Sequence, residues 1–343
     1  MRPYPATPIL PRTPPRPVQL SVVICFLNER EALPLCHARL RQVLDALDEP
    51  WEIVFVDDGS QDGSAEYVAG LMAREPGLQL VRLSRNFGKE AAMTAGLEHA
   101  TGAAVILLDA DLQDPPELIP DMVRAWREGA DVVGMRRRSR AGEGWFKRAS
   151  AYAYYRLLSR LSRAAIPPDT GDFRLMSRRA VDALLRLPER CRYMKGLYAW
   201  IGMPTRFIDY DRAPRAAGAT KWNVVALLRL ALEGITSFSI APLRWATAAG
   251  VTAALLGALF GIVIIFKTLI HGDDVQGYPS LMAMITFLSG IQLITIGLLG
   301  EYMGKTYMES KQRPVYLVRD VQHSAVAALP LADTAKGPHA VNF

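Results

Sequence analysis

The sequence predicts an α/β fold: a mostly parallel sheet with helices on both faces, followed by an interfacial helix and two transmembrane helices. Two patterns carry that expectation. Between Val18 and about Tyr210, short apolar runs alternate with amphipathic stretches, the order that builds a parallel sheet covered by crossover helices. From about Trp245 onward, two stretches without a charged residue are each as long as the roughly 20 residues a hydrocarbon core demands.

Taken in order, residues 1–18 (MRPYPATPILPRTPPRPV) are Pro-rich and hold no apolar run of signal-peptide length. Proline denies them helix and sheet hydrogen bonds, so a disordered arm is expected. A folded domain is expected over 19–221. SVVICFL (Ser21–Leu27), EIVFVD (Glu52–Asp57), LQLVRLS (Leu78–Ser84) and AAVILLD (Ala103–Asp109) read as buried strands, β-branched and apolar on both faces. Helical patterns lie between and after them at Glu29–Leu47, Ser64–Arg74, Lys89–His99 and Pro115–Glu128. Residues 222–241 follow as an interfacial segment, since Trp222–Ser239 carries only Arg229 and Glu233 as charges. Two spans are expected within 242–304, at about 245–266 and 278–300, and a tail at 305–343. Arg229, Arg244, Lys305, Lys311 and Arg313 flank the spans on one side, against Asp273 and Asp274 in the connecting loop. Lys267 alone runs against that asymmetry. The positive-inside rule therefore puts the domain and the tail in the cytoplasm.

Composition removes several function classes. Forty Lys and Arg against 34 Asp and Glu leave a net charge of +6, too mild for a dedicated nucleic-acid binder. Cys25, Cys36 and Cys191 form no CxxC pair and no even disulfide framework, which suits a reducing compartment. The histidines show no HExxH spacing, which argues against a zinc enzyme. No GxGxxG occurs, which argues against a nicotinamide or flavin site.

In such sheets ligands bind at the carboxyl ends of the strands. There LLDADLQDPPE places Asp109 and Asp111 one residue apart, with Gln113 next in line. Paired carboxylates can hold a hard cation, Mg²⁺ or Mn²⁺, against a diphosphate. Asp114 precedes Pro115-Pro116-Glu117 and reads as a helix cap. VDDGSQDGS ends another strand; Asp57 and Asp58 are placed to hydrogen-bond a ribose or base, while Gly59–Ser64 reads as a turn with a helix start near Asp62. Asn28-Glu29 closes the first strand in the same manner. Arg215 and Lys221 sit in the pliable segment RAAGATKW, which suits a lid that brings cations to phosphates, or simply a patch that meets anionic lipid. The run Arg136-Arg137-Arg138-Ser139-Arg140 suggests an anionic surface. Lys89 reads either as a donor contact or as decoration of a helix start. The Tyr152–Tyr155 aromatics read as core or membrane-interface residues.

These segments, in this order, resemble glycosyltransferase family 2 enzymes of GT-A fold, and within them the polyprenyl-phosphate glycosyltransferases. Dolichol-phosphate mannosyltransferase and the bacterial undecaprenyl-phosphate glucosyltransferases are similar. The likeness runs from about Leu20 to Arg319 through SVVICFLNE, VDDGSQDGS, SRNFGKEAAMTAGL, DADLQDPPE, TGDFRLMSRRAV and RAAGATKW. The resemblance implies an inverting transfer of one sugar, most simply from a UDP-sugar, to undecaprenyl phosphate for a cell-envelope glycan. It implies that Asn28, Glu29 and Asp57 hold the nucleoside, and that Asp109, Asp111 and Gln113 hold the metal and sugar diphosphate. One arginine of the basic loop, Arg136 or Arg140, is placed near phosphate. Asp172 is implied as catalytic base, with Arg174 on phosphate, although an Asp ahead of a helix can equally cap it. A homotetramer is also implied.

Two rivals differ in kind. A processive polysaccharide synthase on the same fold carries Gln-x-x-Arg-Trp; here Arg244-Trp245 occur with Ala241 in place of the Gln. A non-catalytic nucleotide-binding scaffold would be free to lose Asp109, Asp111 and Asp172, and this chain keeps all three.

Overall fold

The computed structural model describes residues 18–47, 49–138, 170–211, 236, 239–271 and 277–324. The Pro-rich arm, Arg140, Tyr152–Tyr155, Arg215, Lys221 and nearly all of the interfacial segment lie outside the described residues.

Four strands form where continuous apolar runs predict them: β1 (Leu20–Phe26), β2 (Trp51–Asp57), β3 (Leu78–Leu83) and β4 (Ala104–Asp109). All pair in parallel, β1 lying between β2 and β4 and β3 beyond β2. Four further strands complete the sheet: β5 (Val132–Arg137), β6 (Thr170–Ser177), β7 (Thr205–Tyr210) and β8 (Val318–His323). The order is β7-β5-β6-β4-β1-β2-β3-β8. β6 runs antiparallel to β4 and β5, and β8 runs antiparallel to β3, so the sheet is mixed at both flanks.

Helices α1 (Ala32–Ala46), α2 (Ser64–Met72) and α4 (Ile119–Arg127) cover one face; α3 (Lys89–His99), α5 (Arg178–Leu185) and α6 (Met194–Trp200) cover the other. Strand alternation sorts the side chains. Val22 and Ile24 of β1 pack toward Leu33, Leu40 and Val68, whereas Val23 packs toward Ala92 and Leu97. Gly96 lets α3 lie close on the sheet, because a Cβ there would stand 2.2 Å from a Val23 methyl.

Three local expectations change. Asp114 caps neither the 3₁₀ turn Pro116–Leu118 nor α4, whose N-cap positions are Pro115 and Leu118; its buried carboxylate instead accepts the Tyr210 hydroxyl from β7. Asp172 is no helix cap either. It lies on β6, and Ser177 caps α5 by accepting the Ala180 N–H at 3.2 Å. The third change concerns the tail, in which Val318–His323 returns to the sheet as β8.

The apolar C-terminal stretches form α7 (Ala241–His271) and α8 (Tyr278–Ser310), of 31 and 33 residues. At about 1.5 Å per residue each is longer than a hydrocarbon core of roughly 30 Å. The windows Ala241–Ile264 and Phe287–Ser310 have mean hydropathies of 2.1 and 1.2, and no part of either is buried within the chain. Leu269 and Ile294 are 78% and 73% exposed. In water such surface would be costly; in lipid it is at home, and the two helices are long and apolar enough to cross a membrane. The Tyr302 hydroxyl donates to the Ser239 carbonyl at 2.5 Å, and Lys305 Nζ to Thr236 Oγ1 at 2.5 Å, which ties the end of α8 to the start of α7.

Candidate active site

The carboxyl ends of β1 and β4, with the start of β6, open into one cavity of about 610 Å³. Its centre is a cation between two acids. Asp109 is the last residue of β4, and Lys89 is the first of α3. Gly88, at φ 97°, turns the chain into α3 in a conformation that side chains resist. Lys89 Nζ then lies 2.8 Å from Asp109 and 2.7 Å from the Asp172 carboxylate on β6. Burial works to raise the Asp172 pKa, but Lys89 and then Lys195 overcome it and hold the carboxyl well below the usual range. Lys89 is raised by Asp109 and Asp172 against a larger opposing effect of burial.

Asp111, two residues beyond Asp109, also lines the cavity. Leu112 adopts φ 57°, and the Asp111 carboxylate accepts the Gln113 N–H at 3.1 Å, so the turn holds this acid at the rim. No group of three or more acidic, His or Cys residues placed to hold a metal occurs among the described residues. Two carboxylates with hard oxygen donors nevertheless fit Mg²⁺ or Mn²⁺, which commonly take one or two protein carboxylates and complete their shell from substrate phosphates and water. The Lys89 ammonium already resting on Asp109 shows that this point attracts positive charge.

At the mouth, Glu29 lines the cavity, and its N–H donates to Ser64 Oγ at 3.0 Å. Asn28, at φ 54°, accepts the Gln61 N–H through Oδ1 at 2.8 Å and so joins the β1 and β2 loops. Asp62 accepts the Ser64 N–H at 3.0 Å, as its place before α2 predicts. The two acids after β2 have separate roles. Asp57 is 2% exposed and does not line the cavity; it accepts the Ser60 N–H at 2.8 Å. Asp58 lines the cavity and accepts the N–H groups of Phe87 and Gly88 at 2.7 and 2.9 Å, which fixes the loop that delivers Lys89. The other Asp57 oxygen lies 3.7 Å from Arg82 Nε, so this acid is engaged by its own turn and by β3.

Among the basic residues, Arg136 points away from the cavity and pairs with Asp209 of β7 at 2.6 Å, while its neighbour Arg137 lines the cavity. Strand alternation decides this: consecutive residues of β5 face opposite ways. Arg174 does not line the cavity. Its guanidinium is buried, donates to the Gly171 carbonyl at 2.7 Å and lies 3.5 Å over the Tyr198 ring. From there it braces the β6 segment that carries Asp172 rather than reaching the open cavity.

Two residues enter that sequence reading passed over. Lys195 of α6 lines the cavity. Glu90, beside Lys89, accepts the Met194 N–H at 3.2 Å, and burial with the Asp172 charge pushes its carboxyl up to about 8. The position of Lys89, after a strand and a glycine at a helix start, was a usable signal; Glu90 and Lys195 had none. Cys25, Cys36 and Cys191 form no disulfide with one another, and burial pushes the Cys36 thiol up to about 12.

Residues 21–185 match the profile of glycosyl transferase family 2, and residues 241–306 match that of the GtrB C-terminal hairpin. An uncharacterized glycosyltransferase of Synechocystis is 48% identical over 304 residues, covering 89% of this chain and 96% of the relative. A prophage bactoprenol glucosyl transferase homolog of Escherichia coli K12 is 44% identical over 305 residues, 89% of this chain and 100% of the relative. The bactoprenol glucosyl transferase of Shigella phage SfV is 45% identical over 303 residues, 88% of this chain and 99% of the relative.

Proposed function

The chain belongs to glycosyltransferase family 2, and from that membership we propose that it moves one sugar from a nucleotide-diphosphate sugar to a polyprenyl phosphate at a membrane surface. One observation carries the reading. Asp109, Asp111, Lys89 and Asp172 converge in a single cavity on a domain joined to a hairpin long enough to cross a bilayer. Relatives 44–45% identical over most of their length bear the name bactoprenol glucosyl transferase. We further take the donor to be a UDP-sugar, the acceptor undecaprenyl phosphate and the site cytoplasmic, with both termini on that side.

In this reaction a phosphate oxygen of the lipid forms a bond to the anomeric carbon as the bond to the donor diphosphate breaks. The electron pair of that bond leaves with the nucleoside diphosphate, and the single displacement inverts the carbon. Asp109 and Asp111 would hold a Mg²⁺ or Mn²⁺ ion, which when bound would supply charge that stabilises the departing diphosphate. Lys89, between Asp109 and Asp172, offsets part of their charge and keeps Asp172 ionised. Asp172 then orients the acceptor instead of deprotonating it. A phosphate monoester with a second pKa of about 6 is already largely ionised at neutral pH, and a carboxylate held this low is a poor base. The long lipid stays in the bilayer and only its head group enters, so the encounter becomes one of proximity.

The test is a panel of UDP- and GDP-sugars with undecaprenyl phosphate, with Mg²⁺, Mn²⁺ or EDTA, read by mass spectrometry of the extracted lipid. A lipid heavier by one sugar, formed from one donor and only with metal, supports the reading. A polymer would point to the processive synthase, and metal-dependent nucleotide binding without any product to the scaffold.

A further inference from the structure

Three cations line the cavity: Lys89, Arg137 and Lys195. Lys89 is held by two carboxylates, and Arg137 is hydrogen-bonded to Tyr210. Among the described residues Lys195 has no ion-pair partner within 4 Å, although it lies close enough to Asp172 to act on it more than any charge but Lys89. A cavity lysine that no carboxylate holds at contact distance keeps donors for an anion brought from outside.

What carries Lys195 is equally informative. At one end, the Met194 N–H is fixed on Glu90 at 3.2 Å and Tyr198 lies against Arg174. The loop before α6 is fixed on the membrane hairpin. A single oxygen of Glu309, on the last turn of α8, accepts the N–H groups of Arg190 and Cys191 at 2.8 and 2.9 Å. Arg190 in turn donates to the Arg313 carbonyl at 2.7 Å. A membrane-derived helix thus holds the segment that presents the cation, whereas Asp109 and Asp111 come from the sheet.

We infer that Lys195 binds the phosphate of the lipid acceptor, and that Glu309 is the positioning residue that holds Lys195 at the membrane side of the cavity. The inference rests on the polyprenyl-phosphate reading above. Its shared chemistry is a phosphate, which either donor or acceptor can bring, and the two arms of the test separate them. In the full chain in lipid nanodiscs, Lys195→Met raises the acceptor KM about tenfold, as loss of a charge-assisted phosphate contact should. The donor KM moves less than about twofold in the same variant, and Lys195→Arg restores most of the acceptor affinity. Glu309→Ala raises the acceptor KM about threefold and speeds amide exchange at Arg190–Met194. Glu309→Gln does neither, because its amide oxygen can still accept both N–H groups.

An increase confined to the donor KM would assign Lys195 to the diphosphate and overturn the inference. A Gln variant as impaired as the Ala variant would overturn the positioning role. Should the unaltered protein glycosylate no polyprenyl phosphate, the functional reading falls and takes this inference with it. A working protein whose KM values ignore both substitutions sinks this inference alone.

Discussion

The two walls of the cavity are built in different ways. The β4 wall is one short peptide, Asp109 to Asp111, whose acids follow directly from the end of a buried strand. The opposite wall is assembled from pieces far apart in the chain: Asp172 on β6 and Lys195 on α6 line it, and behind them stand Glu90 on α3 and Glu309, which bonds residues 119 and 118 positions earlier. The first wall needs only the sheet to be formed. The second needs the sheet, two helices and the membrane hairpin to agree, so its geometry answers to more of the molecule.

The sharpest way to break this contrast is to remove one acid from each wall. Asp111→Asn should cost on the order of 10³-fold in turnover, with loss of Mn²⁺ binding measured on the protein, since it removes charge stabilisation of the leaving group. Asp172→Asn should cost about tenfold with donor binding retained, below the 10²–10⁴ expected of a general base. Equal losses, with the donor still bound by the Asp172 variant, would make Asp172 the base.

A smaller effect tests the far wall through its titration. Burial, then Asp172, raises the Glu90 carboxyl from 4.5 to about 8. In that interval the folded chain binds a proton that the unfolded chain releases, so stability falls as pH rises from about 4.5 to 8. Glu90→Gln should flatten this dependence in denaturation curves collected across the window. Parallel curves for the two proteins would mean that Glu90 is ionised in the folded wall.

The smallest effect concerns residues of one strand that face opposite ways. Arg136 is an exposed partner of Asp209, and such pairs contribute little. Arg136→Ala should leave turnover within about twofold, measured beside Arg137→Ala, which should lose more. Equal losses would return Arg136 to the phosphate role that the family resemblance implies for it.

How legible each part was follows from the same contrast. β1 to β4 could be read because strands buried on both faces are continuous apolar runs, and the observed ends differ from the expected ones by single residues. β6 was hidden by its polar residues Thr170, Asp172 and Arg174. β8, reading VRDVQH, looks like a tail until β3 offers it an edge. Asp109 and Asp111 were visible because their chemistry is local. Lys89 is ambiguous in the sequence, since a lysine at a helix start is common and its two partners lie 20 and 83 positions away in the chain. Asp57 and Asp58 could not be told apart without knowing which side chain the turn consumes. Lys195 and Glu309 gain meaning only from contacts across long separations, which no local pattern encodes.

The return of the chain as β8 has a mechanical result. A domain hung from one linker can swivel about it, but here the end of α8 is bonded to the loop at Arg190 and Cys191 through Glu309, and the chain beyond it is stitched into the sheet beside β3. Two separated moorings remove that rotation. With α7 and α8 across a bilayer, the pose of the cavity would be inherited from their tilt, and tilt responds to hydrocarbon thickness. A thicker or thinner bilayer would lean the whole domain, carrying its opening toward or away from the lipid head groups.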